Sequence, residues 1–205
     1  MAEVKTAKWA LVTGGSRGIG RASALELARK HGLSIVLNYA SNQEAAEAAA
    51  VELKEMGVDV FLAPFDVKDP EAVKSGVDAW RSAHPEARLE VLINNAGIIV
   101  GKFFEEHSHA EIDKTMQINT QAMMHITREF LPAMLSAQKG HIVNIASAAG
   151  LAANPQMSIY VASKWAVIGW SETLRLELES KSKDLHVTTV TPFYISTGMF
   201  EGVKS

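Results

Sequence analysis

Short apolar runs alternate along this chain with longer stretches in which apolar residues recur every three or four positions. The runs hold five to seven residues each and predict six strands, at residues 9–13, 34–39, 58–63, 89–93, 141–147 and 186–191. The periodic stretches predict helices at residues 21–30, 42–56, 70–83, 111–137 and 158–180. Strands that are apolar almost throughout are typical of a parallel sheet with helices on both faces.

This alternation predicts an α/β fold: a Rossmann-type doubly wound parallel sheet in three αβα layers, with strand order 3-2-1-4-5-6. The same units repeat without a linker, so we expect a single domain over residues 1–205. Ligands of such sheets bind where the carboxyl ends of the strands meet. The polar residues that follow each strand are therefore the candidates for a site.

Composition narrows the classes of function. The chain has 205 residues, of which 21% are charged, and a formal charge of -3, which argues against a nucleic-acid surface. It has no cysteine, which excludes disulfides and thiolate metal sites. No apolar run approaches the ~18 residues of a membrane span, and the N-terminus lacks a signal-peptide core. We therefore predict a cytoplasmic protein without a membrane span.

A glycine-rich turn joins the first strand to the first helix. Strand, glycine turn and helix follow in the order that a dinucleotide site needs, because glycine allows close approach and the helix N-terminus attracts phosphate. The alternative is an ordinary glycine-rich turn. The turn residues expected to bind a cofactor are Gly14, Ser16, Arg17, Gly18, Ile19 and Gly20.

The end of the second strand indicates which cofactor is preferred. Asn38, Tyr39 and Ser41 lie where a site for NAD usually has Asp or Glu to bind the ribose hydroxyls. Without a carboxylate there, Arg17 could face a 2′-phosphate, with Ser41 as a hydrogen-bond donor. This favours NADP(H) over NAD(H), unless Arg17 merely points to solvent.

A phenol and an ammonium lie four residues apart in the last predicted helix, at Tyr160 and Lys164, and so share one face. A tyrosine titrates near pH ~10, and a close positive charge lowers that pKa. Ser147 ends the fifth strand upstream and could present its hydroxyl to the same point. The spacing also arises by chance, so the pair indicates carbonyl or alcohol chemistry only together with such partners.

Other polar groups have less specific readings. Asn94 and Asn95 are poor core filler, because buried amides need several partners, although they could tie adjacent strands together. Asn119 is mildly unfavourable in a helix and so has a specific task, or simply bonds the helix backbone. Residues 105–111 combine imidazoles with carboxylates, but no second group completes a metal site. We predict a solvated start of a helix there and no metal.

These motifs together resemble the classical short-chain dehydrogenase/reductase family. The glycine turn has the family's form T-G-x-x-x-G-x-G, and the family's other motifs match Asn94-Asn-Ala-Gly97, Asn119, Ser147, Tyr160 and Lys164. The resemblance implies hydride transfer between NADP(H) and a carbonyl or secondary alcohol. Tyr160 would exchange the proton, Ser147 would orient the substrate oxygen, Lys164 would bind the nicotinamide ribose and lower the phenol's pKa, and Asn119 would hold a relay water.

The resemblance also implies further cofactor contacts. Asp66 and Val67 would border the adenine, although Asp66 could instead cap the next helix, where Asp69 is the better candidate. The adenosine side and the central strand would be supported by Asn94, Ala96 and Gly97. Near Pro192, the family's Ile and Thr would hold the nicotinamide carboxamide at Ile195 and Thr197. Phe193 departs from the family's glycine.

The remaining expectations concern substrate and partners. The residues expected to line the substrate site are apolar and suggest a lipophilic ketone or alcohol: Ile98, Ile99, Met157, Phe193, Tyr194, Met199 and Phe200. Residues 94–102 and 197–200 resemble the retinol and 17β-hydroxysteroid branch, whereas the N-terminal half is as similar to bacterial 3-oxoacyl-carrier-protein reductases. The helices at 111–137 and 158–180 carry more apolar surface than one sheet covers, which predicts a homodimer or homotetramer. The family's substrate lid and seventh strand fall outside the 205 residues, which keeps open a catalytically silent sensor or interaction protein.

Overall fold

Six parallel strands form one sheet in the order β3-β2-β1-β4-β5-β6, in a computed structural model that describes residues 7–199. The strands are β1 Lys8–Val12, β2 Ser34–Tyr39, β3 Val60–Pro64, β4 Arg88–Asn94, β5 Gly140–Ile145 and β6 Leu185–Val190. The predicted strand order and fold class are confirmed. The predicted strand bounds differ from these by no more than two residues at either end.

Helices cover both faces of the sheet. They are α1 Gly18–His31, α2 Gln43–Glu55, α3 Pro70–Ala83, α4 His109–Met116, α5 Ala122–Ala137 and α6 Ser158–Glu179. Buried side chains of α1 and α2 pack with Ala10 and Val12 on one face. Those of α3, α5 and α6 pack with Trp9 and Leu11 on the other. Neighbouring residues of β1 point to opposite faces, so its apolar residues contribute to both cores.

The predicted helix over 111–137 is wrong as one continuous helix. A π-helical turn, Gln117–Gln121, separates α4 from α5. Asn119 and Thr120 lie in this turn with buried side chains that bond to residues outside their own helix. Such turns interrupt α-helices frequently at functional sites. The apolar periodicity continues through the turn, which is why the pattern alone did not reveal it.

The direction of the strands positions the site. The sheet is parallel, so the loops that follow β1, β4, β5 and β6 meet at one edge.

Asp69 caps α3 as expected, because its Oδ1 accepts hydrogen bonds from Glu71 N at 3.0 Å and Ala72 N at 3.2 Å. No helix within residues 7–199 is both long and apolar enough to cross a membrane.

Candidate active site

The glycine turn after β1 is shaped for a bound anion. Gly14 and Gly18 have φ of +61° and +55°, which favour glycine. A Cβ on Gly20 would lie 2.4 Å from Gly14 O. α1 begins at Gly18, and its N-cap residue Arg17 provides no side-chain cap and has no acidic residue after it in the first turn. The N–H groups of that turn therefore suit the pyrophosphate of a dinucleotide.

Two residues that the sequence did not single out as site residues hold this turn in place. Thr13 Oγ1 accepts hydrogen bonds from Asn95 N at 2.9 Å and Ala96 N at 3.0 Å. Asn95 Nδ2 donates to Thr13 O at 2.8 Å and to Gly14 O at 3.2 Å. The signal available in the sequence was the second amide of the Asn94-Asn95 pair. Its partner Thr13 lies 82 residues away in the chain, so the sequence alone does not connect the two residues.

Asn38 is a framework residue. Its Nδ2 donates to Ala63 O and Phe65 O at 3.0 Å each, and its Oδ1 accepts from Gly14 N at 3.3 Å. These bonds hold the end of β2 against the glycine turn and the chain at the end of β3, and the contact of Asn38 with a cofactor stays a prediction. Tyr39 is also buried, whereas Ser41 is exposed beside the turn.

Arg17 and Asp66 lie on the surface of the cofactor side. Arg17 is exposed, as is Ser41, so both are open to a ligand from solvent. Partial burial alone would raise the pKa of Asp66, but hydrogen bonds from Lys68 outweigh it and hold this pKa below its usual value. Lys68 Nζ lies 3.0 Å from Asp66 Oδ2, and Val67 between them is buried.

Asn94 is buried at the end of β4. It is 2% exposed, and its Nδ2 donates to Thr127 Oγ1 at 3.1 Å and to Asn144 Oδ1 at 2.8 Å. Asn144 Nδ2 continues to Ser171 Oγ at 2.9 Å. The structure therefore supports the alternative that this amide ties adjacent strands together, while Ala96 and Gly97 are half-buried nearer the surface.

Ser147, Tyr160 and Lys164 come together at the carboxyl end of β5. Ser147 Oγ accepts a hydrogen bond from Ala149 N at 3.1 Å, and its hydroxyl also bonds the phenol of Tyr160. Tyr160 and Lys164 are each 3% exposed. Lys164 Nζ donates to Ile145 O at 2.9 Å and lies 5.7 Å from the centre of the Tyr160 ring.

The electrostatics of this group differ from the sequence expectation. Burial raises the pKa of Tyr160, and the hydrogen bond with Ser147 offsets only part of the increase. Burial also lowers the pKa of Lys164 to about 8. In the protein alone, burial therefore outweighs any lowering of the phenol's pKa by Lys164, and the expected lowering with a bound cofactor stays a prediction. Burial has this effect because both groups are desolvated and the amine is directed to a carbonyl oxygen.

Asn119 joins the π turn to two other segments. Its Oδ1 accepts from Ile98 N at 2.8 Å, and its Nδ2 donates to Ile98 O at 2.9 Å and to Ser163 Oγ at 3.0 Å. A Cβ on Gly97 would lie 3.4 Å from Asn119 Oδ1 and 3.7 Å from Lys164 Nζ. The chain after β4 therefore lies in contact distance of both side chains.

An apolar cleft of about 480 Å³ opens beside Ser147 and Tyr160. Its other lining residues are Ala148, Ala149, Ala152, Ala153, Asn154, Met157, Pro192, Phe193 and Tyr194. The sequence predicted Met157, Phe193 and Tyr194 there but missed the four alanines and Asn154, because small residues carry no pattern of their own. Ile98 and Ile99 do not line this cleft, and Phe200 lies outside the described residues.

The loop after β6 closes one side of the site. Pro192 O accepts a hydrogen bond from Ala148 N at 2.9 Å, which ties the loop to the chain after Ser147. Thr197 Cβ lies 3.2 Å from where a Cβ of Gly18 would be, so this loop reaches the glycine turn. Ile195 is 44% exposed. Met199 lies on the same side, with its terminal methyl 3.7 Å from a Cβ on Gly97.

Residues 105–111 lead into α4: a 3-10 turn, Phe104–Glu106, comes first, and Ser108 is the N-cap of α4. Ser108 Oγ accepts from Glu111 N at 3.2 Å, and Glu111 Oε2 accepts from Ser108 N at 2.9 Å, which is a capping box. Lys102 Nζ donates to Glu111 Oε1 at 2.6 Å, and these bonds lower the pKa of Glu111 to about 2. In residues 7–199 no three His, Asp or Glu side chains are grouped to hold a metal ion.

Comparison with known proteins decides the family. The family described as short chain dehydrogenase matches residues 8–205, almost the whole chain. The chain belongs to the short-chain dehydrogenase/reductase family. It is therefore an oxidoreductase of a family that uses NAD(P) and acts on CH–OH or carbonyl groups.

Individual relatives of this short-chain dehydrogenase differ in the activity that their names give. It is 36% identical over 201 residues to a 3-oxoacyl-[acyl-carrier-protein] reductase FabG of Staphylococcus aureus, covering 98% of this chain and 80% of the relative. It is 35% identical over 218 residues to retinol dehydrogenase 10 of Homo sapiens, covering 95% and 63%. A solved family member from Burkholderia phymatum, in complex with NAD, superposes with a TM-score of 0.88 at 32% identity, covering 95% and 68%.

Proposed function

We propose that this protein transfers hydride between NADP(H) and the carbonyl or secondary alcohol group of a lipophilic substrate, with Tyr160 as general acid and base. The observation that carries the proposal is the convergence of Ser147, Tyr160 and Lys164 at one end of an apolar cleft. A nicotinamide cofactor supplies or accepts the hydride when it is bound. The protein's own residues position the substrate oxygen and move its proton.

Ser147 and Tyr160 act on the substrate oxygen. Both line the cleft, and their hydroxyl groups are hydrogen-bonded to each other, so one oxygen in the cleft can reach both. Ser147 orients and polarises that oxygen. Tyr160 donates its proton as the oxygen gains charge during reduction, and removes a proton during oxidation.

Lys164 supplies the positive charge that this cycle needs. Burial raises the pKa of Tyr160, so a tyrosinate forms only with a cation nearby. With a pKa of about 8, Lys164 is mostly cationic at neutral pH, and its Nζ lies against Gly97 where it could bond a ribose hydroxyl. The π turn around Asn119 would hold the relay water behind the lysine.

The proposed preference for NADP(H) rests on charge at the end of β2. Arg17 in the glycine turn and Ser41 after β2 are both exposed, and residues 38–41 contain no carboxylate. A phosphate on the adenosine ribose would therefore meet a guanidinium and a hydroxyl without a repelling acid. The change Arg17→Ala is expected to weaken binding of NADPH about 10–100-fold, the value of one charged hydrogen bond, and to leave NADH binding almost unchanged.

The substrate class follows from the lining of the cleft. None of its lining residues has a charged side chain, and four alanines line it together with Phe193 and Tyr194. An uncharged apolar substrate fits such a lining, because a buried charge without a partner is costly. The relatives' names suggest two such substrates, one with an acyl chain and one with a retinoid skeleton.

The oligomer is also a proposal. Trp165 and Leu176 on α6 are 55% and 58% exposed, and eleven residues place them on one face of the helix. We propose that this face, with the helices around the π turn, forms a homodimer or homotetramer of single-domain subunits. The change Trp165→Glu should reduce the mass measured by sedimentation, whereas Val51→Glu, at a residue of α2 that is 56% exposed, should not.

The test is consumption of NADPH with a panel of carbonyl compounds: acetone, 1-decalone, retinal and an acetoacetyl thioester. We expect turnover of at least one apolar compound, and a loss of at least about 100-fold in kcat on Tyr160→Phe, as for removal of a general acid. Turnover that survives Tyr160→Phe would exclude the mechanism. Binding of NADPH without turnover of any compound would favour a sensor on the same fold.

A further inference from the structure

Ser163 connects Asn119 in the π turn with the helix that carries Tyr160 and Lys164. It lies in α6 between Tyr160 and Lys164 and is 0% exposed. Its hydroxyl donates to Tyr160 O at 2.6 Å, and its oxygen accepts from Asn119 Nδ2 at 3.0 Å. A second bond, from Thr120 Oγ1 to Ser163 O at 3.2 Å, joins the same two segments. The hydrogen bonds that Asn119 and Thr120 of the π turn make to α6 therefore both end at Ser163.

The direction of these hydrogen bonds is fixed. A serine hydroxyl has one proton, which Ser163 gives to Tyr160 O, so only its lone pairs remain for Asn119. The amide of Asn119 must therefore turn its N–H toward Ser163. Its oxygen then faces Ile98 N, and its other N–H faces Ile98 O. Each bond in the series thus determines the orientation of the next.

The far end of this series lies against the reacting groups. Ile98 follows Gly97, whose added Cβ would be 3.7 Å from Lys164 Nζ. A shift of the Asn119 amide would move the backbone of Gly97 and Ile98 relative to the lysine. Buried amides that lose a partner seek another, so removal of the Ser163 hydroxyl would cause such a shift.

We propose that Ser163 is a positioning residue, which acts through Asn119 to fix the backbone at Gly97 and Ile98 against Tyr160 and Lys164. The inference rests on the proposed function, because it assigns Ser163 to the geometry of that reaction. Ser163 touches neither substrate nor cofactor in this role.

The same helix contains a matched control at Ser171. It too is 0% exposed, donates to a backbone oxygen, Val167 O, at 2.6 Å and accepts from an asparagine amide, Asn144 Nδ2, at 2.9 Å. The two serines have the same chemistry, but Ser171 lies about three turns away from Tyr160. Substitution of each by alanine therefore separates the loss of a buried hydrogen bond from the loss of catalytic geometry.

The experiment compares Ser163→Ala with Ser171→Ala. Both should lower Tm by roughly 2–10 °C, the shift expected from one unsatisfied buried amide in a domain of this size. Only Ser163→Ala should lower kcat, by about 10–100-fold, as small misplacements of reacting groups do. The Kd for NADPH should change little in either, and Ser163→Thr, which keeps the hydroxyl, should recover most of the kcat. Equal kcat in the two alanine variants, or no recovery with threonine, would overturn the proposal.

Two further measurements complete the test. In an Asn119→Ala background, Ser163→Ala should cause no additional loss of kcat, because it acts through that amide; a full multiplicative loss would overturn the proposal. If Ser163→Ala does not fold, Ser163→Cys, a poorer acceptor of similar size, should show the same selective loss of kcat. Failure of both to fold while Ser171→Ala folds would assign Ser163 a structural role and overturn the proposal.

The outcome for Tyr160→Phe separates the two proposals. If that variant retains full kcat, the proposed function fails whatever Ser163 does. If it abolishes turnover while Ser163→Ala behaves as Ser171→Ala, only the role of Ser163 fails.

Discussion

The glycine turn offers a sharp test of the cofactor site through the substitution Gly20→Ala. The added Cβ would lie 2.4 Å from Gly14 O and 2.5 Å from Asn95 Nδ2, both far inside a van der Waals contact. Gly14 O belongs to the backbone of the turn itself, so relief of the contact must displace the turn or α1. Asn95 would also lose its bonds to Thr13 O and Gly14 O.

The magnitude follows from these contacts. Overpacking of one methyl group costs about 1–3 kcal/mol, and the loss of the two Asn95 bonds costs about 1 kcal/mol each. A total of roughly 3–5 kcal/mol lowers Tm by roughly 6–20 °C in a domain of this size. Because the same atoms shape the anion site, the Kd for NADPH should rise as well.

The assay is thermal unfolding together with titration of NADPH, and Gly169→Ala is the matched control. Gly169 lies in α6, and a Cβ there would meet no atom within 4 Å. Alanine at this helical position should raise stability by about 0.5–1 kcal/mol. If Gly20→Ala has the same Tm as the wild type and binds NADPH equally well, the close contacts do not constrain the turn and the reasoning is refuted.

Three further predictions concern charge, substrate and capping. The folded pKa of Lys164 is about 8, below its ordinary value, so the unfolded chain binds more protons between about pH 8 and 10.5 and stability rises with pH across that window. Relative to Lys164→Met, the wild type should therefore gain roughly 3 kcal/mol of unfolding free energy from pH 7 to 10.5 in urea titrations, and a pH-independent difference would contradict the burial argument. Phe193 is 84% exposed in the cleft, so Phe193→Ala should lower kcat/KM for 1-decalone about 10-fold more than for acetone; equal losses would show that the ring does not contact the substrate body. Asp69→Ala removes the α3 cap and should cost about 1 kcal/mol in thermal unfolding with NADPH binding unchanged, whereas weaker binding would place Asp69 in the cofactor site.

Much of the fold could be predicted from the sequence because the signals are local. The apolar runs and the glycine turn located all six strands and the cofactor edge, and Asp69-Pro70 located the start of α3. The break at Asn119 was not predictable in this way. It depends on hydrogen bonds to Ile98 and Ser163, residues that are distant in the chain and come close only in the folded protein.

The candidate site was predicted in its residue types better than in its electrostatics. The spacing of Tyr160 and Lys164 indicated one helix face, and the structure places both beside Ser147. The direction of the Tyr160 pKa depends on how much water surrounds the phenol, which spacing does not reveal. Asn38 was assigned to the cofactor from its place at the end of β2, and its three hydrogen bonds to Gly14, Ala63 and Phe65 were not predictable because those partners are distant in the chain.

The bonds between Thr13 and Asn95 also set an order of events during synthesis. The glycine turn is complete only when β4 lies beside β1, and 82 residues separate the two partners. A ribosome that adds about 5–20 residues per second needs about 4–16 s to make that stretch. Until then, the first helix and its glycine turn are exposed on an incomplete sheet. A nascent chain of this protein therefore completes the glycine turn before Tyr160 and Lys164 have been made.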